Sequence, residues 1–316
     1  MGTLDNPLHG HLAKNTRGVG GRIGFVETCE RVRASMHWPI PSFVQLANTH
    51  RDCTFAICGG GPSVANDIDT IRRLRKQGAY IMTVNKTHDY LREHGIRPDF
   101  HVLLDPMDWV ADYVKQPVDG CRYLIASQCH RDVYRKLRHG DCYLWHAYSD
   151  FYGVNYPSPI LEREFTRKEW VCVPGPTTVG MRAIYCAQTM GGKFYHMLGM
   201  DSSMVYDEAA KAGRLHAYAK AKPEDAEEGW AKIKTQAGVK SFYTNSHMAR
   251  QVDDFDQMLD QFAVLVKMKR IRAPHFTVYG QGLLPTYAAT LGWHADPMMN
   301  AVYEWKHTAA QAGKVA

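Results

Sequence analysis

The sequence predicts an α/β protein, a mostly parallel sheet with helices on both faces. Three observations carry that expectation. Short apolar runs recur at Thr54–Cys58, Tyr80–Val84, Phe100–Leu104, Arg122–Ala126 and Cys142–His146. Helical patterns fill the gaps between them, with Ile68, Ile71 and Leu74 on one face of a segment at 67–77 and a further helix near 130–138. The first run ends in Gly59-Gly60-Gly61-Pro62-Ser63, a strand–turn–helix signal. Short strands separated by helices imply parallel pairing, because a parallel return needs a crossover. Right-handed crossovers then bring all strand C-termini, and so any site, to one edge.

Each element follows from local chemistry. Residues 1–50 read as a basic, glycine-rich arm (His9, His11, Lys14, Arg17, Arg22) and a helix at 25–36 stopped by Trp38-Pro39-Ile40-Pro41. Residues 51–282 form the main domain. Asn66 is placed to cap the first helix, with Asp69 three residues on. Gly78 closes that helix, and the strand Tyr80–Val84 runs into Asn85. The next helix ends at His94, with Gly95 as its C-cap and Pro98 beyond. The third strand ends at Asp105. Residues 147–175, rich in Tyr, Pro and Gly, read as a long loop. A helix from Thr177 to Met190 shows the stripe Val179, Ala183, Cys186, Met190 and stops at Gly191-Gly192. The strand Phe194–Met200 then leads to Asp201. Residues 202–243, polar and mixed in charge, read as an insertion or lid. Ser246 opens a helix carrying Val252, Phe255, Leu259, Phe262 and Val266, with a basic end that suits the helix dipole. Phe276–Tyr279 is the last strand and Gly280-Gln281-Gly282 a second glycine turn; 283–316 read as a helical C-terminal extension.

Composition narrows the function classes. The formal charge of +6, from 38 basic against 32 acidic residues, suits an anionic small ligand and gives no strong nucleic-acid signal. No apolar run approaches the ~20 residues of a membrane span, and the polar N-terminus has no signal-peptide core. Eight cysteines, none in Cys-x-x-Cys spacing, point to free thiols in a reducing cytoplasm rather than a zinc site. Oligomeric state is not legible.

The glycine turn is the centre of the functional reading. Gly59, Gly60 and Gly61 let the backbone approach a ligand, and free N–H groups of the turn and the following helix start form an anion site. With Pro62 and Ser63 they make a candidate nucleotide-phosphate cradle; the alternative is a plain strand–helix turn. The spacing is neither a Walker A loop nor Gly-x-Gly-x-x-Gly, since Val64 stands where the third glycine is expected. Asn85 at a strand end can read a base or ribose, or cap its helix. Thr177 and Thr178 can donate to phosphate or cap theirs, and Arg182 can reach a phosphate or solvent. Asp105, in a Pro-Asp-x(5)-Asp-Pro arrangement with Asp99, is a natural Mg²⁺ ligand at the strand-end edge, because Mg²⁺ favours a few carboxylates plus phosphate oxygens. The alternative for Asp105 is a turn aspartate. Asp201 ends a strand in Leu-Gly-Met-Asp, where Gly199 allows close ligand approach and the acid can orient a ribose or an acceptor hydroxyl; the alternative is a turn-forming aspartate.

Three blocks together resemble a known family: Ile57-Cys-Gly-Gly-Gly-Pro-Ser63; Val84-Asn85 with Gly95-Ile-Arg-Pro-Asp99 and Leu103-Leu-Asp-Pro106; and Thr177-Thr-Val-Gly180, Gly191-Gly192, Leu198-Gly-Met-Asp201 and then His216. The family is the 6-hydroxymethylpterin diphosphokinase MptE-like one, which includes motility accessory factors and phage relatives, and the resemblance covers roughly residues 50–282. It implies a Rossmann-like fold whose strand-end edge binds a nucleotide. It also implies His216 as a general base or phosphate ligand. A weaker similarity is to the Cst-type bacterial sialyltransferases.

The reaction expected from the resemblance is Mg²⁺-dependent diphosphate transfer from ATP to a hydroxymethyl, pterin-like acceptor, with Asp105, Asp201 and His216 as the catalytic set. The alternatives are glycosyl transfer from a CMP- or other nucleotide-activated sugar, and a non-catalytic nucleotide-binding assembly protein of the phage type. The expected location is the cytoplasm, that of the host if the gene is a phage's.

Overall fold

The computed structural model describes residues 23–151, 154–175, 178–207, 212–218, 230–235 and 238–302. The basic arm at 1–22 and the end of the C-terminal extension therefore lie outside the described residues. The described residues divide into two compact units, one holding residues 23–59 and 70–192, the other residues 60–69 and 193 onward.

The first unit is a parallel sheet. Its strands are β1 (Thr54–Cys58), β2 (Tyr80–Val84), β3 (Phe100–Leu103), β4 (Arg122–Ala126) and β5 (Asp141–Ala147), side by side in that order. A small antiparallel hairpin, β6 (Ser149–Phe151) with β7 (Val154–Tyr156), follows, and β8 (Cys172–Val173) then pairs parallel to β5. Helices Phe25–Ser35, Thr87–Glu93, Arg131–Leu137, Ser158–Glu164 and Val179–Thr189 accompany it. Strands covered on both faces read as continuous apolar runs rather than alternating ones, and all four residues of β3 are buried. The pairings Val84↔Val102, Leu103↔Ile125 and Ala126↔Trp145 align the strand ends. Asn85, Asp105 and Ser127 therefore lie along one C-terminal edge. Near the opposite end, His50 packs edge-on to Tyr80 at 4.7 Å between ring centroids, beside Phe55 and Phe100.

The expected long loop at 147–175 is instead the β6–β7 hairpin, a helix and an edge strand. Pro159 sits in the first turn of helix Ser158–Glu164, where its missing N–H costs nothing. That helix buries only Ile160 and Leu161, too short a stripe to stand out as periodicity. Arg182 is a further departure from the sequence reading. Its guanidinium is 3% exposed and donates to the carbonyls of Val173 (2.5 Å) and Tyr148 (2.8 Å), so it clamps β8 to the chain leaving β5. Charged donors to buried carbonyls contribute about 1.5–3 kcal/mol each, and the carbonyls would be left unpaired. Arg182→Met is expected to lower unfolding free energy by about 3 kcal/mol in urea titration; an unchanged midpoint would remove the clamp.

The second unit contains the parallel pair β9 (Phe194–Leu198) and β14 (His275–Val278), in register from Phe194↔His275 to Met197↔Val278. Between them in sequence come two antiparallel hairpins, β10 (Val205–Asp207) with β11 (Ala212–Arg214) and β12 (Trp230–Thr235) with β13 (Gly238–Tyr243). These occupy the segment read as an insertion or lid. The helix Ser246–Lys267 buries Ala249, Val252, Phe255, Met258 and Phe262 at three- and four-residue steps. Its cap is Asn245 rather than Ser246: the Asn245 Oδ1 accepts the Met248 N–H at 3.0 Å. Helix Leu283–Thr290 is buried along its whole length, a core element of this unit. Residues Pro62–Asn66 form a 3₁₀ turn, so Asn66 lies inside that turn and does not cap helix Ile68–Lys76. Eight parallel strands with flanking helices make the fold α/β and Rossmann-like. Among the described residues no helix is long and apolar enough to cross a membrane.

Candidate functional site

In the second unit the glycine turn closes on Asp201. The Gly61 N–H donates to the Gly199 carbonyl at 2.7 Å, the Ser63 N–H to Asp201 Oδ2 at 2.9 Å, and the Val64 N–H to the Gly61 carbonyl at 3.2 Å. Pro62 has no N–H. The donors expected to stand free for phosphate are therefore taken at Gly61, Ser63 and Val64. The physical reason is Asp201 itself. Its carboxylate is 4% exposed, and a buried charge must be paired. Burial raises its pKa, while the backbone N–H groups of Ser63 and Gly282 pull it back down.

The same packing explains the glycines. A Cβ on Gly61 would lie 2.4 Å from Asp201 Oδ2 and 2.7 Å from the Gly199 carbonyl oxygen. One on Gly282 would lie 2.4 Å from the Asp201 carbonyl oxygen, and one on Gly280 2.6 Å from Ser63 Oγ. Gly199 (φ +62°) and Gly280 (φ +101°) also take left-handed backbone that favours glycine. The two glycine turns are thus held together around one carboxylate, which the Leu284 N–H extends by donating to the Asp201 carbonyl at 3.1 Å.

His216 comes to this turn. The Ala217 N–H donates to the Gly60 carbonyl at 3.0 Å, and the Tyr218 ring stacks on the His216 imidazole at 5.0 Å and 12°. The Tyr218 hydroxyl lies 2.4 Å from where a Cβ on Gly60 would be, so Gly60 is small because Tyr218 crosses it. Two further groups were missed by sequence reasoning. Asp67 is half-buried, and burial together with the Asp201 charge pushes its carboxyl up to about 6, with His294 opposing. His294 is fixed by its hydrogen bonds: Nε2 donates to the Gly280 carbonyl at 2.6 Å and Nδ1 accepts the Asp296 N–H at 3.0 Å. Asp67 carried a faint signal, an acid directly after the glycine turn; His294 carried none.

In the first unit the strand-end residues sit as the edge rule requires, but not as a metal pair. Asp105 is half-buried past the C-terminal end of β3, whereas Asp99 precedes that strand. The two acids therefore stand at opposite ends of β3 and do not share an ion. Asp99 is engaged elsewhere: Oδ2 accepts the Ile81 N–H at 2.8 Å and Oδ1 the Arg75 guanidinium at 3.0 Å. Asp108 accepts its neighbour Trp109 N–H at 2.8 Å. Asn85 takes φ +49°, a left-handed conformation that Asn tolerates better than most residues. Thr178 is the N-cap of helix Val179–Thr189 by backbone position, but its side chain makes no capping bond. Thr177 lies outside the described residues. Among the described residues no group of three or more His, Cys, Asp or Glu could hold a metal ion.

Residues 33–207, more than half of the chain, match the family described as 6-hydroxymethylpterin diphosphokinase MptE-like. The chain belongs to that family. The match takes in the glycine turn, Asn85, Asp105, Thr178, Gly199 and Asp201, and ends before His216 and the second glycine turn. The MptE-like chain also shares its fold with the structure of MAf glycosyltransferase from Magnetospirillum magneticum AMB-1. The two are 16% identical, with a TM-score of 0.54, over 79% of this chain and 36% of that one. This MptE-like chain thus corresponds to about a third of that protein's length. No curated protein matches it. The family carries a transferase name, and a transferase-like role is the functional class that this membership supports.

Proposed function

We propose that this chain is a nucleotide-dependent transferase that moves a diphosphate group from ATP to a hydroxymethyl group of a small, pterin-like acceptor. The family match over residues 33–207 carries the reading. With the N–H groups of Gly61, Ser63 and Val64 taken, the turn would meet the nucleotide at Gly60, with His216 beside it as the group able to touch the phosphate or the acceptor hydroxyl. Within the first unit, Asn85 is the candidate for reading base or ribose, and Thr178 at the start of an 11-residue helix the candidate phosphate donor.

The donor set suits Mg²⁺ in one form only. Mg²⁺ is commonly held by one or two carboxylates plus substrate phosphates. Asp105 offers one such carboxylate at a strand end, and Asp99 does not join it. Asp105 would therefore hold the ion through a single side chain. When bound, the ion would neutralise polyphosphate charge as it develops. The protein's own contribution is positioning, which for phosphoryl-type transfer is most of the catalysis.

Glycosyl transfer from a nucleotide-activated sugar is the second reading. It is favoured by the glycosyltransferase neighbour in fold and by an imidazole, His216, stacked beside the glycine turn where a departing phosphate would be met.

A thermal-shift panel of ATP, GTP, CTP, CMP and UDP, each with and without Mg²⁺, tests the proposal. A ligand at 100 times its Kd stabilises the folded state by about 2.7 kcal/mol, enough to move a midpoint by several degrees. Stabilisation by ATP that requires Mg²⁺ and is lost in Asp105→Asn is the expected result. Stabilisation by CMP or CTP without metal would shift the assignment to glycosyl transfer. No shift with any nucleotide would overturn both in favour of a non-catalytic role.

A further inference from the structure

We infer that Asp67, not Asp201, is the general base that takes the proton from the acceptor hydroxyl. The inference rests on the transferase reading above and names a residue within it. Asp201 is the acid that the sequence pattern singles out, yet its carboxylate is consumed. It is buried, accepts the Ser63 N–H at 2.9 Å, and has the Gly282 N–H beside it. A carboxylate so engaged holds two turns together and has little freedom to accept a proton from a substrate.

Asp67 differs in its partners. It lies immediately past the 3₁₀ turn Pro62–Asn66 that the glycines lead into, so its backbone is fixed relative to that turn by the Asp67 N–H to Val64 carbonyl bond of 3.2 Å. Its Oδ2 is shielded from bulk solvent, and among the described residues no donor reaches it. The titratable groups facing it are Asp201 and His294. The His294 ring nitrogens are engaged elsewhere, Nε2 with the Gly280 carbonyl and Nδ1 with the Asp296 N–H, so neither is the missing donor. A shielded carboxylate oxygen without a donor costs free energy, and a substrate hydroxyl would supply the missing hydrogen bond. Burial and the Asp201 charge raise the Asp67 carboxyl to about 6. That makes it ionised at neutral pH yet basic enough to accept a proton, the range in which general bases are most effective.

The step balances. The acceptor O–H bond breaks, and its proton goes to Asp67 Oδ2. The oxygen's electron pair forms the new bond to the electrophilic phosphorus of the nucleotide. The bond from that phosphorus to the leaving nucleotide oxygen breaks, and its electron pair stays on the nucleotide phosphate.

The test follows hydrolysis of ATP–Mg²⁺ to AMP and pyrophosphate, water standing in for the acceptor hydroxyl, against pH in wild type, Asp67→Asn and Asp67→Glu. Thermal melting first confirms that both variants fold. The expected wild-type rate falls about tenfold per pH unit below about pH 6. Asp67→Asn loses about 100-fold or more in kcat with KM held within about threefold, and its acid limb disappears. Asp67→Glu retains a limb. If Asp67→Asn keeps its kcat or its acid limb, or changes only KM, the inference is overturned while the transferase reading stands. Nucleotide binding without any turnover in wild type overturns it as well. If wild type binds no nucleotide at all, the transferase reading fails and the inference goes with it.

Discussion

Asp201→Ala is expected to lower the unfolding free energy by about 3 kcal/mol or more, and Asp201→Asn by roughly half as much. The estimate comes from the groups left behind. The Ser63 N–H donates to this carboxylate at 2.9 Å across 138 residues of sequence, and the Gly282 N–H lies beside it. Alanine would leave those donors facing apolar space, at about 1–3 kcal/mol for each buried unsatisfied group. Asparagine keeps one carbonyl oxygen and offers an NH₂ where the second carboxylate oxygen stood. The crowding is unforgiving, because Gly61, Gly280 and Gly282 all approach within 3 Å of Asp201 at the position of an added Cβ. Urea unfolding of the two variants gives the numbers, with a constant slope confirming that only stability changed. A variant that keeps the wild-type midpoint while losing turnover would restore Asp201 to the catalytic role read from the sequence.

That contrast shows what the sequence could and could not reveal. The sheet was legible because parallel strands buried on both faces appear as uninterrupted apolar runs, and β1 to β5 are such runs bounded by Gly, Asn or Asp. Asn85 and Asp105 could be placed on one edge by the crossover rule alone. What stayed hidden depends on partners far away in the chain. Asp99 reads as half of an acidic pair, but Ile81 and Arg75 take its oxygens from the strand and helix before it. Arg182 reads as a surface or phosphate-seeking arginine, and two backbone carbonyls claim it. The glycines of the turn read as a ligand cradle, while their immediate neighbours are Tyr218, Asp201 and Gly199. Glycine tolerance for a close approach is visible in sequence; whether a ligand or the chain itself makes that approach is not.

Acid should unfold this protein steeply below about pH 6.5, and buried histidines are the cause. His50, His88, His101 and His146 are all buried, and burial lowers the pKa of each, for His146 to about 3. Arg122 lowers His50 further, and His88 lowers His101, whose ring lies 4.9 Å away. His88 is fixed as a neutral ring between two partners. Its Nδ1 donates to Asp89 at 2.8 Å and its Nε2 accepts from the Tyr123 hydroxyl at 3.1 Å, so protonation would break the second bond. The sign follows from linkage. Unfolded histidines bind protons near pH 6.5, whereas the folded ones resist. As pH falls from 6.5 toward the depressed folded values, the unfolded state binds more protons and stability drops. Each fully neutral histidine contributes about 1.4 kcal/mol per pH unit in that window. Asp67, raised to about 6, acts in the opposite sense between there and its ordinary value, because the folded state then holds the extra proton. The histidine protons, set against those of Asp67 and Asp201, whose carboxyls burial raises, leave a net slope that lowers stability as pH falls. Urea midpoints at about pH 7.5, 6 and 5 measure that slope, and His146→Phe is expected to remove about one proton from it. A flat unfolding free energy between about pH 7 and 5 would mean that these histidines are protonated inside the fold.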